Sequence, residues 1–445
     1  MLIKELHIHN FRRFEDLKVS FEEGLTVLVA RNGQGKSTVL ESISVLLGTY
    51  VGAFDLGSST GIKARDARRS IDLESGEPKT GWPVRIEGQV RIPKSGNQIL
   101  QGKLKEYSLA RELRGPKLRT TTAEAAAIAD YGKALQSGIY ENHEIALPVV
   151  AYYGTGRLWK VHKNMQRQRV LTENRSLGYE DCLSPSSNFV QVQQWMAKAT
   201  MARFQQTSRS DRSSSPSLAV KLAFIQETVD SVLEEEGWIG FCHDFDHEEL
   251  AMSHPEHGSL AVSQMSDGVR SVVSLVADLA FRCSRLNGSQ GIEAARETRG
   301  IVMIDELDQH LHPGWQQRIL QAIRRAFPKI QFIVTTHSPE VLSTVDSEQI
   351  RILQDGMCFA APPGALGAES HRLLHDVLGL TDARPPIQAV EELNEYLNLV
   401  NQEKWDTKRA QELRTLLDIR YQGNEPQLLE ADLYIENRIW ESKTL

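Results

Sequence analysis

"LTVLVARNGQGKSTVLESISVLLG", residues Leu25 to Gly48, decides how this chain folds. It passes from a short apolar run, typical of a strand buried on both faces, through a glycine-rich turn into an amphipathic helix. Successive backbone N–H groups in such a turn, together with the N-terminus of the following helix, can wrap a polyphosphate. The stretch therefore predicts a phosphate-binding loop between a buried strand and a helix.

Each residue type in this loop has a predicted task. Lys36 can reach the terminal phosphates of a nucleotide, and the Ser37 hydroxyl can bind Mg²⁺. Gly33 and Gly35 stand where the backbone must approach phosphate closely. The usual pattern GxxxxGK[ST] has glycine where Ala30 stands, and alanine fits if that residue keeps an ordinary φ. The predicted nucleotide-binding residues of the loop are Asn32, Gly33, Gln34, Gly35, Lys36, Ser37 and Thr38.

Two later segments also end an apolar run with polar residues. "GIVMIDELDQHLHP", beginning at Gly300, is an apolar strand that ends in Asp305 and Glu306. A carboxylate at such a strand tip can hold Mg²⁺, and the neighbouring Glu306 can orient or deprotonate an attacking water. "FIVTTHS" reaches His337, which can hydrogen-bond a γ-phosphate. The predicted catalytic residues are Glu306, His337 and Lys36, and the predicted metal ligands are Ser37 and Asp305.

A third segment begins a strong helix. In "VSQMSDGVRSVVSLVADLAF", the residues Ser266, Asp267 and Gly268 stand at the helix start, where a hydroxyl and free N–H groups point outward at a positive helix end. As a plain helix cap this segment needs no further function.

Composition limits the possible classes of protein. The 445 residues are 40% hydrophobic and 24% charged, and the four scattered cysteines suggest neither a disulfide framework nor a zinc site. Because no apolar run of about 18 residues and no signal peptide stand out, we expect a cytoplasmic protein without a membrane role.

Charge is unevenly distributed, although the net charge is only −7. Residues 85–119 hold nine Lys or Arg against three Glu, whereas residues 366–445 hold nine basic against fifteen acidic residues. The basic run is either a solvated face or a surface for a polyanion. In the second case, salt-sensitive DNA binding through Arg111, Arg114 and Lys117 is expected.

Strands that alternate with helices predict an α/β fold with a largely parallel sheet. We expect a split nucleotide-binding core in residues 1–55 and 241–365. Residues 56–240 are predicted to be an insert with antiparallel strands and helices. From 366 to 445 the pattern indicates a helical module for partner docking or assembly.

Four histidines in a short segment resemble a metal cluster at first sight: His243, His247, His254 and His257. The Pro-Glu-His-Gly turn between two alternating stretches instead indicates a β-hairpin, which would scatter these side chains along two strands and a turn.

Taken together, the motifs resemble an ABC-class ATPase of the RecF and SMC kind, with "MSDGVR" as the signature. The resemblance implies an ABC-type P-loop head that uses ATP and Mg²⁺. Two subunits would close on two nucleotides, so that Ser266, Asp267 and Gly268 contact ATP bound by a second chain. Arg12 and Arg13, in "NFRRF", fall where family members place arginines near the nucleotide. The glutamine of the Q-loop is not placed.

Segments such as "LPVVAYYGTGRLW" and "RPPIQAVEELNEYLNLVNQEKW" are most similar to the ATPase subunit of Septu-type antiphage systems. That resemblance implies a homodimer, which can assemble further, and a separate HNH nuclease partner, with DNA or retron nucleic acid as a further partner. Nuclease activity of the chain itself is not expected, because the C-terminal residues are helical and contain no DxD. The rival interpretation is a RecF-like repair ATPase that binds DNA.

Overall fold

The computed structural model describes residues 1–72, 76–93, 104–141, 143–156, 174–185, 189–208, 216–380 and 384–444. These residues divide into two compact units, Met1–Leu378 and Gly379–Leu445. None of the helices described is both long and apolar enough to cross a membrane.

The strands, in chain order, are β1 (Leu2–Phe11), β2 (Phe14–Ser20), β3 (Leu25–Val29), β4 (Arg69–Ile71), β5 (Pro78–Thr80), β6 (Val84–Pro93), β7 (Leu104–Leu113), β8 (Val149–Tyr153), β9 (Ile239–Asp244), β10 (Glu249–His254), β11 (Gly258–Ala261), β12 (Gly300–Ile304), β13 (Ile330–Thr335), β14 (Ile350–Gln354) and β15 (Met357–Ala360). The α-helices are α1 (Lys36–Val51), α2 (Ala126–Tyr140), α3 (Phe189–Ser208), α4 (Pro216–Leu233), α5 (Asp267–Leu286), α6 (Ala294–Glu297), α7 (Pro313–Ala326), α8 (Pro339–Leu342), α9 (Ser370–Asp376), α10 (Gln388–Asn401), α11 (Lys408–Tyr421) and α12 (Pro426–Thr444).

A six-stranded sheet in the order β15-β14-β3-β13-β12-β8 forms the centre of the first unit. Its pairings are parallel except for the edge pair β14 and β15. Every residue of β3, β12 and β13 is buried, as expected for strands covered on both faces. Because these three strands are adjacent and parallel, the residues that follow them meet at one edge of the sheet. The α/β fold predicted from the sequence is confirmed.

A four-stranded antiparallel sheet in the order β2-β1-β6-β7 forms the second layer. Helix α1 contacts strands of both sheets, namely β6 and β7 on one side and β8 and β13 on the other. This position explains why nearly all of its residues, including Leu40, Leu46 and Tyr50, are buried. The phosphate-binding loop at its start is therefore held between the two layers.

Strands from residues 56–240 join both sheets of the first unit. Strands β6 and β7 of the predicted insert extend the sheet of β1, and β8 pairs with β12 in the central sheet. The first unit also continues past residue 366, because Leu373 and Val377 pack in its hydrophobic core. The second unit, which starts at Gly379, has its own small core made by α10, α11 and α12.

The structure also corrects one predicted DNA contact. Arg111 is only 3% exposed, and its guanidinium donates hydrogen bonds to the backbone carbonyls of Thr121 at 2.8 Å and Val45 at 2.9 Å. Burial lowers the pKa of Arg111. Arg114 and Lys117 lie on the surface.

The predicted β-hairpin forms from β10 and β11. Its histidines are not all scattered as expected, because the His254 and His257 rings stack with centroids 4.5 Å apart.

Candidate nucleotide-binding site

The loop between β3 and α1 requires two left-handed glycines. Gly33 has φ +75°, and Gly35, which precedes the first residue of α1, has φ +99°. A Cβ on Gly35 would lie 2.4 Å from the Phe14 ring and 3.0 Å from Arg13 Cδ, so no larger residue fits there. Ala30 lies outside the left-handed region, which explains why alanine is tolerated where the usual motif has glycine.

Lys36 and His337 meet beside this loop. The Lys36 ammonium donates a hydrogen bond to the Ala30 carbonyl at 3.2 Å and lies 2.5 Å from His337 Nε2. Burial lowers the pKa of Lys36, while the charges of Asp305, Glu306 and Asp308 act to raise it. Burial and the Lys36 charge lower the pKa of His337, which favours a neutral imidazole. Two groups that can donate to phosphate oxygens therefore lie side by side.

Asp305 connects the loop to the two strands behind it. One of its carboxylate oxygens accepts a hydrogen bond from Ser37 Oγ at 2.6 Å, and the other accepts from Thr335 Oγ1 at 2.6 Å. The Thr335 hydroxyl in turn accepts the backbone N–H of Glu306 at 2.8 Å. Asp305 is 3% exposed, so this network fixes a buried carboxylate against the Ser37 hydroxyl. Sequence reasoning missed Thr335, although it stands two residues before His337.

Asp308 was also missed, and it joins the loops after β12 and β13. It accepts a hydrogen bond from Thr336 Oγ1 at 2.6 Å and a longer one from the His337 backbone N–H at 3.4 Å. Glu306, between the two aspartates, has φ +48°, an uncommon conformation for a residue with a side chain. Such backbones cluster at functional sites, where the surrounding contacts hold them in place.

The remaining predicted residues have different surroundings. Arg13 donates to the Gly33 carbonyl of the loop, whereas Arg12 pairs with Glu41 and Asp66. The structure therefore brings Arg13, not Arg12, into direct contact with the loop backbone. Asn32 is exposed on the loop, Gln34 is half-buried beside it, and Thr38 is buried in the first turn of α1.

The signature segment lies next to the loop that follows Glu306. Ser266 caps α5 by accepting the Val269 N–H at 3.5 Å, and Asp267 pairs with Arg270 at 3.0 Å. A Cβ on Gly268 would lie 2.5 Å from the His310 carbonyl oxygen, so glycine permits this close approach. Among the contacts described for these three residues, none is with the phosphate-binding loop of the same chain.

The residues of the site fit a nucleoside triphosphate with Mg²⁺. A hydroxyl and a carboxylate held together, Ser37 and Asp305, are the hard oxygen ligands that Mg²⁺ prefers. A Cβ on Gly33 would meet no atom within 4 Å, so the loop backbone there is open to a ligand. Gln34 Oε1 is buried without a hydrogen-bond partner in the described part of the chain. Backbone amides, Lys36 and His337 complete a set suited to phosphate oxygens.

Comparison with known families agrees with this geometry. A family model described as "AAA domain" matches residues 5–227, which is half of the chain. The chain belongs to this AAA-domain family. A second model, described as "AAA domain, putative AbiEii toxin, Type IV TA system", matches residues 201–343.

Among similar proteins, the Retron Ec83 probable ATPase of Escherichia coli is 27% identical, with 99% of this chain and 87% of that protein covered. The Septu protein PtuA of Bacillus thuringiensis is 24% identical, with 91% of each protein covered. A solved SMC head bound to the C-terminal winged-helix domain of ScpA has a TM-score of 0.46 at 16% identity, covering 81% of this chain and 97% of that one. The family models and the two similar bacterial proteins confirm the resemblance inferred from the motifs. This AAA-domain protein is an ATPase.

Proposed function

We propose that this ATPase is the nucleotide-dependent regulatory subunit of an antiphage defence complex and controls a separate nuclease of the HNH type. The proposal is supported by the network through Ser37, Asp305 and Thr335, next to the Lys36–His337 pair. These contacts bring together the residue types that hydrolysis of a nucleotide requires. The similarity to proteins named as retron ATPase and Septu protein supports the biological setting.

In this proposal each residue of the site has one role. Ser37 and Asp305 would hold Mg²⁺, which would neutralise charge on the phosphates of ATP. Lys36 and His337 donate hydrogen bonds to the terminal phosphate, and backbone N–H groups from Asn32 to Thr38 bind the phosphate oxygens. Glu306 accepts a proton from the attacking water.

The proposal includes a homodimer with composite ATP sites, which can assemble into a higher oligomer. The described contacts of Ser266, Asp267 and Gly268 hold the signature segment in place, and none of them is with the phosphate-binding loop of the same chain. The positive end of α5 is then available to the phosphates of ATP bound by a second copy. Arg12 and Arg13 are the arginines we propose near the nucleotide, and Arg13 already contacts the loop.

The second unit is the candidate docking module for the nuclease. Its helices expose large apolar side chains that its own small core does not bury, including Ile419 at 73% and Leu433 at 61% exposure. Because contiguous apolar patches mark interaction surfaces, these side chains are the candidates for such a patch. DNA or retron nucleic acid is proposed as a further partner, with Arg114 and Lys117 as its surface contacts.

A plaque assay tests the proposal. The chain and the genes next to it are expressed in a bacterial host, which is then challenged with phages. Protection is expected only when both the chain and a neighbouring nuclease gene are present, and it should be lost in Glu306→Gln. Protection by the chain alone, or DNA cleavage by the purified chain, would contradict a separate nuclease.

The second candidate function is a RecF-like repair ATPase, which the N-terminal "NFRRF" strand and the signature also suit. It predicts ATP hydrolysis that is stimulated by gapped DNA but not by intact double-stranded DNA. ATPase assays with single-stranded, double-stranded and gapped DNA distinguish the two functions.

A further inference from the structure

A cluster of histidines and carboxylates lies on the outer face of the four-stranded sheet, away from the nucleotide-binding residues. His7 and His9 are two residues apart on β1 and so point to the same side. In the register of the sheet, Glu87 of β6 is opposite His7, and Asp16 of β2 is opposite His9. His7 and Glu87 also line an open groove of about 500 Å³, which gives a small solute access to them.

In each of the two histidine rings, one nitrogen faces Asp16 and the other faces the second ring. Asp16 Oδ1 contacts His7 Nε2 directly and lies 3.6 Å from His9 Nδ1. A carboxylate in this position favours a proton on each of the two nitrogens that face it. The other two nitrogens, His7 Nδ1 and His9 Nε2, are then acceptors that face each other at 3.2 Å.

Glu87 completes the group. Its Oε2 lies 3.8 Å from His7 Nδ1, and its Oε1 is held by the Arg85 guanidinium. Three electron-pair donors, from His7, His9 and Glu87, therefore converge with all ligand atoms within 4.8 Å of one another. Convergent lone pairs repel one another unless a cation lies among them.

The spacing suits a tetrahedral metal ion. Ligand atoms at about 2.0–2.1 Å from Zn²⁺ lie about 3.3 Å from one another in a tetrahedral site. The separations of 3.2 Å and 3.8 Å in this cluster need only a small side-chain adjustment to reach that value. Two imidazoles and one carboxylate form the donor set that suits Zn²⁺ and Co²⁺ rather than Mg²⁺, with water left for the fourth position.

The surrounding charges allow a bound cation. Arg85 is the nearest cation on β6, and its charge is offset by Glu87, Glu112 and Glu124. Lys18, on β2, is opposite His7, and its positive charge attracts the Asp16 carboxylate.

We propose that His7, His9 and Glu87 form a binding site for a divalent ion of the zinc and cobalt type, with Asp16 orienting both imidazoles from behind. The site joins β1 to β6. The turn after β1 carries Arg12 and Arg13, so an ion at this place stabilises the layer that supports the phosphate-binding loop.

Metal titration of the full chain tests the site. Protein stripped with EDTA is titrated with CoCl₂ in excess Mg²⁺ and without nucleotide, and bound cobalt is counted after dialysis by mass spectrometry. One equivalent per chain with the visible absorption of tetrahedral Co²⁺ is expected, together with a higher melting temperature. His7→Ala and Glu87→Gln should each abolish this equivalent, and Asp16→Asn should weaken it about 10- to 100-fold.

The second histidine cluster provides the matched control. His254, Glu256 and His257 also have donor atoms within 4.8 Å of one another, but the Glu256 N–H already occupies His254 Nδ1 at 3.1 Å. The double variant with His254→Ala and His257→Ala should keep the cobalt equivalent. Absence of cobalt binding in the wild-type chain, or its survival in a folded His7→Ala variant, overturns the proposal. A proton shared by His9 and His7 then accounts for their contact.

Discussion

Replacing Thr335 by Val removes one hydroxyl from the centre of the site while keeping the side-chain shape. Two hydrogen bonds are lost, one to the Asp305 carboxylate at 2.6 Å and one from the Glu306 N–H at 2.8 Å. A hydrogen bond to a charged group contributes about 1.5–3 kcal/mol, and a buried donor left without a partner costs about 1–3 kcal/mol. Because part of this loss falls on stability, we assign about 2–4 kcal/mol to catalysis, which lowers kcat about 30- to 1000-fold.

The assay is steady-state ATP hydrolysis as a function of free Mg²⁺. Thr335→Val should need more Mg²⁺ for half-maximal rate, since Asp305 is no longer held toward Ser37, and this readout separates positioning from a general loss of stability. Thr335→Ser keeps the hydroxyl and should stay within about threefold of the wild-type rate. A folded Thr335→Val protein with an unchanged rate and Mg²⁺ requirement would refute the role of the network.

Three further predictions concern the loop, the core and pH. Gly35→Ala should abolish nucleotide binding, measured by calorimetry, because its Cβ would meet Phe14 at 2.4 Å. A Cβ at Gly33 meets no protein atom within 4 Å, so Gly33→Ala should lower the free energy of unfolding of the nucleotide-free chain by only about 1–2 kcal/mol of backbone strain, measured by melting curves. Arg111→Ala should lower the free energy of unfolding by about 3 kcal/mol, because buried carbonyls lose their donor, while Arg114→Ala should leave it nearly unchanged in a urea titration. Since the pKa of His337 is lowered in the folded chain, the unfolded chain binds more protons as pH falls below the ordinary value of 6.5. The free energy of unfolding should therefore decrease with falling pH, and decrease less in His337→Gln.

The parts of the site that a single segment determines could be predicted from the sequence. The loop from Ala30 to Ser37 and the strand that ends at Asp305 each carry their own apolar run and their own polar residues. Their meeting at one sheet edge follows from parallel pairing, which alternation of strands and helices already indicates. The left-handed glycine at residue 35 follows from the motif, although its contact with Phe14 does not.

Contacts between segments could not be predicted in the same way. Thr335 and Asp308 have residue types that are common on any surface, and only the register of β12 against β13 gives them partners. The position of Val149–Tyr153 could not be predicted for a similar reason, because this strand joins a sheet whose other strands are far away in sequence. Arg111 was misjudged because a basic run does not show which of its members points inward. The cluster at His7, His9 and Glu87 depends on cross-strand register as well.

Glu306→Gln tests the central claim, a hydrolytic site completed by a second copy. Glutamine keeps the shape of the side chain but cannot accept a proton, so turnover should fall about 10²- to 10⁴-fold while ATP still binds. Purified Glu306→Gln protein is weighed by mass photometry with and without ATP and Mg²⁺, and Lys36→Ala serves as the control that lacks the proposed phosphate contact. We expect an ATP-dependent dimer in Glu306→Gln and none in Lys36→Ala. Unchanged hydrolysis in Glu306→Gln, or an oligomeric state that ATP does not alter, would contradict the account.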